Sequence, residues 1–195
     1  MFYNFIKMIT GWLLKILYPY EVINMPSLEE KAYLLVANHK SNWDPLFVSI
    51  LFPRQIRWMA KRELFETPVV KHILRGVDAI SVDRDHGDAK STIIAMRALK
   101  NNEVIGIFPE GTRVKDVDYD KAKPGTILLA TRTGTEILPV YIEGDYKLFR
   151  KRRYIFREPI PFEKEKLTEE AYEKRMRALM ETIYEGRNYL GNHFE

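Results

Sequence analysis

The sequence predicts an α/β fold, a single-domain mixed-sheet sandwich with helices on both faces. Three observations predict it. Short apolar runs rich in Val and Ile alternate with stretches of helical periodicity along most of the chain. The 195 residues are 46% hydrophobic and 30% charged, the mixture of one globular domain with a substantial core. Two polar motifs directly follow apolar runs, and open sheets of this class hold ligands beyond the carboxyl ends of their strands.

Residues 1–20 form the first element. Phe2, Phe5, Ile6, Ile9, Leu13, Ile16, Leu17 and Tyr20 fall on one helical stripe, with Trp12 beside it. Asn4, Lys7, Gly11, Lys15 and Tyr18 lie largely away from it. The charge-free stretch runs only from Met8 to Leu14, well short of the roughly 20 residues a spanning helix needs. No small-residue cleavage site follows, so the segment does not read as a signal peptide. It reads as an amphipathic helix in the membrane interface, its lysines toward the headgroups; packing on the domain core is the alternative. The chain thus divides into a membrane-associating helix at 1–20 and a domain at 21–195.

The remaining elements follow in order. Residues 20–23 read as a short strand and Asn24-Met25-Pro26-Ser27 as a turn. A strand is expected at 32–37, then a helix at 45–51 with Pro45 in its first position and Asp44 as its cap. Strands at 57–60 and 77–82 bracket short helical pieces that reach Leu74. An amphipathic helix at 89–99 leads to a strand at 104–108, a helix at 125–133 and a strand at 137–142. Residues 154–157 add an edge strand. A final helix spans 168–189, with Tyr172, Met176, Leu179, Met180 and Ile183 inward.

Composition excludes several chemistries. There are no cysteines, so disulfides, thiolate metal sites and a cysteine nucleophile are ruled out. His72, His86 and His193 lack partners at metal-ligand spacing, and no metal site is expected. Gly106 and Gly111 have the spacing of a phosphate-binding P-loop, but Thr112-Arg113 stands where Lys-Ser/Thr is required. A nucleotide site is therefore rejected. The net charge of +4 favours an anionic partner without choosing between nucleic acid and lipid. Lys147, Arg150, Lys151, Arg152, Arg153 and Arg157 interleave with Leu148, Phe149, Tyr154 and Phe156. That pattern reads as an anionic-membrane contact in preference to nucleic-acid binding, the plain alternative being a solvated edge hairpin.

The first motif is Asn38-His39-Lys40-Ser41-Asn42-Trp43-Asp44-Pro45, after Tyr33-Leu34-Leu35-Val36-Ala37. On a regular helix, residues five apart are about 140° out of phase, so His39 and Asp44 meet only across a turn. If they meet, the carboxylate fixes the imidazole tautomer through Nδ1 and leaves Nε2 to take a proton. If they do not, Asp44 is a helix cap and His39 a loop residue. Ser41 is close by, but no G-x-S-x-G elbow exposes it. A substrate hydroxyl as nucleophile gives transfer in place of hydrolysis. The second motif, Phe108-Pro109-Glu110-Gly111-Thr112-Arg113, joins a glycine turn to a guanidinium suited to phosphate. Taken alone, the tetrapeptide reads better as a tight turn with surface charge.

Together these motifs resemble the glycerophospholipid acyltransferase family, most closely the 1-acylglycerol-3-phosphate (lysophosphatidic acid) acyltransferases. The likeness covers roughly residues 20–145, in four blocks. They are Asn38 to Pro45, then Lys61-Arg62-Glu63-Leu64-Phe65 through Ile80-Ser81-Val82-Asp83-Arg84, then Phe108 to Arg113, then Ile137-Leu138-Pro139-Val140. Lys123-Pro124-Gly125 is similar to a lysine-glycine pair opening a helix between the last two. Asp78 stands where relatives often carry glycine, and Ser81 where an apolar residue or proline is usual. The chain stops soon after this core, leaving the extended carboxyl-terminal region of larger relatives without a counterpart.

The resemblance implies roles. His39 would be the general base and Asp44 its orienter. Arg84, Arg113, Gly111 and Thr112, with Lys61 and Lys123, would hold the acceptor's phosphate, and Glu110 would shape that site. Pro139 and Val140 would line the acyl or glycerol side. The implied reaction moves an acyl group from acyl-CoA or acyl carrier protein, as co-substrate without a further cofactor, to the sn-2 hydroxyl of lysophosphatidic acid. Another acceptor, such as glycerol-3-phosphate, and an inactive peripheral membrane module are the alternatives. The expected place is the cytoplasmic face of the cell membrane, bound peripherally; the sequence is silent on oligomeric state.

Overall fold

The computed structural model describes residue 11 and residues 14–83, 89–113, 119 and 122–185. Seven strands form one sheet: β1 (Tyr20–Ile23), β2 (Tyr33–Ala37), β3 (Ile56–Lys61), β4 (Ile80–Val82), β5 (Val104–Ile107), β6 (Ile137–Glu143) and β7 (Arg152–Phe156). Their spatial order is β1-β7-β6-β2-β5-β3-β4. Strands β6, β2, β5, β3 and β4 run parallel to one another, β7 runs antiparallel to β6, and β1 runs parallel to β7. Five carboxyl ends therefore share one rim, and both polar motifs leave from it.

Central β2 explains the sandwich. All five of its residues are buried, as an inner parallel strand covered on both faces requires. Leu34 and Val36 enter one core with α3 (Ala89–Lys100), α4 (Gly125–Thr133) and α5 (Glu169–Tyr184). Tyr33, Leu35 and Ala37 enter the other, beneath α1 (Asp44–Leu51), with Phe47, Val48 and Phe52. Helix α2 (Pro68–Gly76) buries none of its residues fully. On α5, Thr168 caps the first turn by accepting from the Ala171 amide at 3.3 Å, and Glu169 and Glu170 face the positive end of the helix dipole. Met176, Leu179, Met180 and Ile183 are buried, and Tyr172 packs at the edge of the same core.

Four expectations need correction. The edge strand expected at 154–157 is β7, residues 152–156, and it is not at the edge, because β1 pairs outside it and Arg152, Tyr154 and Phe156 are buried. Only residues 80–82 form β4; the chain before them is the end of α2 and a turn, with Asp78 at φ 54°. That left-handed conformation is why a glycine suits the position, and Asp is among the residues that tolerate it. The N-cap of α1 is Trp43, not Asp44, whose carboxylate is used elsewhere. The last helix ends at Tyr184, with Glu185 as its C-cap at ψ 135°, short of the expected 189; residues 186–189 lie outside the described residues.

Of the predicted amphipathic helix, residues 1–10, 12 and 13 lie outside the described residues. Residues 14–17 are helical and lead into β1. Among the described residues, no helix is long and apolar enough to cross a membrane.

Candidate active site

The loop leaving β2 closes on one carboxylate. Asp44 is fully buried, and its Oδ2 accepts from the amides of Lys40 and Ser41 at 2.7 Å each and lies 3.0 Å from His39 Nδ1. The Asp44 amide donates back to the Ser41 carbonyl at 3.0 Å. These bonds make residues 39–43 the turn that a contact across five positions requires. A carboxylate only accepts, so it selects the tautomer with hydrogen on Nδ1 and leaves Nε2 with its lone pair free. The ring keeps 17% of its side-chain surface exposed, enough to meet a substrate.

Neighbouring strands brace this loop. The Asn38 side chain ties the end of β2 to β6: its Nδ2 donates to the Ile142 carbonyl at 3.1 Å, and the Ile142 backbone amide donates to its Oδ1 at 2.6 Å. The His39 ring stacks on Phe108 at 4.2 Å, and Phe108 stacks on Trp58 at 4.6 Å. Glycine at 106 permits that stack, since a Cβ there would fall 2.5 Å from the Trp58 ring. The Tyr146 hydroxyl, beyond the end of β6, donates to Asp44 Oδ1 at 2.6 Å.

The second motif turns off β5 at the adjacent position on the rim. Gly111, at φ 67°, adopts a left-handed conformation, and its amide donates to the Phe108 carbonyl at 3.0 Å. Thr112 and Arg113 are thereby left exposed. The amide of exposed Lys123 donates to the Pro109 carbonyl at 3.0 Å, so it belongs to the same corner. Lys61 ends β3, half exposed, 2.8 Å from Glu63. Arg84 lies outside the described residues, two positions after β4. The rim therefore carries a base and several cations, the pairing needed to deprotonate a hydroxyl on an anionic molecule.

Three expected site residues sit in other roles. Glu110 is 4% exposed and takes the Tyr184 hydroxyl at 3.0 Å and the His39 amide at 3.2 Å. It braces the loop at His39 from inside. Burial pushes its carboxyl up to about 7, against the lowering effect of those bonds. Val140 is fully buried in the core beneath α1, and Pro139 is buried beside it in mid-strand. Both are buried at their register with Val36 and Ala37.

Sequence reasoning missed Tyr146, Tyr184 and the Trp58–Phe108 stack. Each reaches the site from a distant stretch of chain, so no local spacing signals it; the aromatic character of Tyr146 within a basic stretch was the faint sign.

A family model described as acyltransferase matches residues 20–143. The 1-acyl-sn-glycerol-3-phosphate acyltransferase of Helicobacter pylori is 32% identical over 131 residues, 65% of this chain and 54% of that protein. The protein of that name in Bacillus subtilis is 30% identical over 148 residues, 72% of this chain and 73% of its own. Against several curated relatives the matched part is about half of their length. The crystal structure of the 1-acyl-sn-glycerophosphate (LPA) acyltransferase PlsC from Thermotoga maritima superposes with a TM-score of 0.69 at 25% identity, covering 100% of this chain and 80% of that one.

Proposed function

The chain belongs to the acyltransferase family, and on that premise we propose that it transfers a fatty acyl group from a thioester to the sn-2 hydroxyl of lysophosphatidic acid. The observation that carries this reading is the His39–Asp44 contact at 3.0 Å, on the rim from which Arg113 projects. The phosphate of the acceptor docks on Arg113 and Thr112, at the turn that Gly111 makes, and on the lysines at 61 and 123, with Arg84 as a further cation. Its hydroxyl then meets His39 Nε2. The imidazole takes the proton as the oxygen attacks the thioester carbonyl, and Asp44 stabilises the imidazolium so formed. When the tetrahedral intermediate collapses, the C–S bond breaks and the imidazolium returns its proton to the departing sulfur. The products are phosphatidic acid and a free thiol. Because a thioester is already activated, the chemistry calls for no further cofactor.

The proposed place of work is the cytoplasmic surface of the cell membrane, held peripherally. Leu148 is 56% and Phe149 70% exposed, among the exposed cations Lys147, Arg150 and Lys151. The Phe149 amide donates to the Leu17 carbonyl at 2.8 Å, which ties this tip to the end of the amino-terminal helical segment. An apolar tip with a basic rim matches an anionic bilayer in both parts.

The test is product identity. Purified protein is given lysophosphatidate or glycerol-3-phosphate with acyl-CoA or acyl carrier protein thioester, and the lipids are separated. Phosphatidic acid formed only from lysophosphatidate supports the reading; acylation of glycerol-3-phosphate in its place contradicts it.

A further inference from the structure

Behind the dyad lies a buried cation. Arg152 is 1% exposed, and none of its three side-chain nitrogens meets a hydrogen-bond acceptor among the described residues. Aromatic faces surround it instead. Its guanidinium carbon sits 3.5 Å from the ring centre of Tyr146, 4.3 Å from Phe47 and 5.5 Å from Tyr18. The topology makes this meeting unavoidable. Arg152 opens β7, whose antiparallel pairing returns the chain beside the end of β6, where Tyr146 begins its loop. A side chain at Gly144, φ 89°, would come within 3.0 Å of the Arg152 Cγ, so glycine leaves the space that the arginine fills.

Buried polar groups without partners are rare enough to call for an explanation. The geometry here offers one. A guanidinium on the face of a phenol draws electron density from the ring and makes its hydroxyl a stronger donor. That hydroxyl points at Asp44 Oδ1, 2.6 Å away. The two oxygens of Asp44 are served differently. Oδ2 meets three donors from the loop, whereas Tyr146 anchors Oδ1 from the opposite side. A carboxylate gripped on one oxygen alone can rock about its Cβ–Cγ bond; gripped on both, it cannot.

We propose that Tyr146 and Arg152 are positioning residues for the base: the arginine polarises the tyrosine, and the tyrosine locks Asp44 so that Oδ2 stays aimed at His39 Nδ1. Burial, together with the nearby Tyr154 and the charge of Asp44, holds the Tyr146 hydroxyl far above its ordinary range, so it remains a donor throughout the working pH. The inference rests on the reading of His39 as the base, and it extends the dyad to two residues outside the stretch that the family model matches.

The test uses the full chain, lysophosphatidate and an acyl thioester. Tyr146→Phe keeps the ring over Arg152 and removes only the donor; Arg152→Met keeps the length and removes the charge. For Tyr146→Phe the account expects kcat to fall roughly tenfold, in line with loss of one hydrogen bond to a charged group, with acceptor KM within about twofold. The acid limb of the kcat/KM profile moves to higher pH, because a carboxylate with one donor fewer holds the imidazolium proton more strongly. Among the described residues, the other ionisable groups around the dyad are Glu110 beneath the loop, Lys40 within it, Tyr184 from α5, Tyr154 and Arg152 from β7, and Tyr18 ahead of β1. None of these is itself replaced in Tyr146→Phe, and Tyr154, which loses a neighbour, is held up to about 12 by burial and so stays neutral, so the displacement reports on the dyad. Arg152→Met shifts kcat and the limb in the same directions by a smaller factor. An unchanged kcat and limb in Tyr146→Phe overturns the proposal. So does a loss of rate that merely tracks a loss of folded protein by thermal unfolding, with the limb in place. Full activity in a His39→Ala control would instead defeat the underlying assignment of the base, a separate failure.

Discussion

Asp44 holds the ring of His39 at 3.0 Å through the same oxygen that accepts the Lys40 and Ser41 amides at 2.7 Å. One buried atom thus folds the loop and orients the imidazole. Asp44→Asn therefore keeps one acceptor oxygen but places an amide donor among other donors. By analogy with triad aspartates, the account expects kcat to drop on the order of 10³- to 10⁴-fold. Steady-state rates and thermal unfolding measured together check it. A loss of stability with no matching loss of rate would mean the carboxylate only shapes the loop.

Arg113 projects from the turn that Gly111 creates, on the rim shared with His39. Removing a charge-assisted grip on phosphate should weaken acceptor binding roughly 10- to 100-fold. Arg113→Ala is expected to raise KM for lysophosphatidate by that factor and leave KM for the thioester near the parent value. Equal rises for both substrates would place the arginine outside the phosphate site.

Glu110 connects the site to stability. Burial raises its carboxyl from 4.5 to about 7, so the folded state keeps a proton that the unfolded chain has released. The associated stability is fully present below about pH 4.5 and is lost as pH rises through about 7. The loss amounts to about 3 kcal/mol at most. Glu110→Gln can still accept from the His39 amide while donating to the Tyr184 hydroxyl, and it carries no charge. Chemical denaturation between pH 4.5 and 8.5 should show a falling stability in the parent and a flatter profile in the variant. Matching slopes would show that this carboxyl is ionised throughout.

The exposed tip at Leu148 and Phe149 gives a membrane prediction. Inserting one such side chain is worth roughly 1.5–3 kcal/mol, about tenfold or more in partitioning. The double variant Leu148→Ser, Phe149→Ser should sediment with anionic vesicles at least tenfold less well, while its activity on detergent-dispersed substrate stays near the parent value. Undiminished vesicle binding would assign membrane contact to other residues.

Much of this was legible in the sequence where information is local. The run Tyr33 to Ala37 is apolar at every position because β2 is covered on both faces, and the motif after it had to lie at a strand end. Asp44 was legible in two uses, as helix cap and as partner of His39, because Asp before Pro at a helix start suits either; the structure gives the cap position to Trp43 and sets the carboxylate 3.0 Å from His39 Nδ1. Strand β7 was misplaced at the edge since nothing in its own residues announces that β1 will pair outside it. Glu110, Pro139 and Val140 were drawn toward the ligand by the motifs containing them, whereas packing against Tyr184 and the core under α1 decides where they sit. Tyr146 depends on a contact spanning 102 positions, which only the closed sheet creates.

The most direct measurement is the rate of thiol release from an acyl thioester in the presence of lysophosphatidate, compared between the parent and His39→Ala. The account predicts that the variant, folded and still binding acceptor, releases thiol no faster than the uncatalysed mixture. Acceptor-dependent release at the parent rate would contradict it and remove the imidazole from the chemistry.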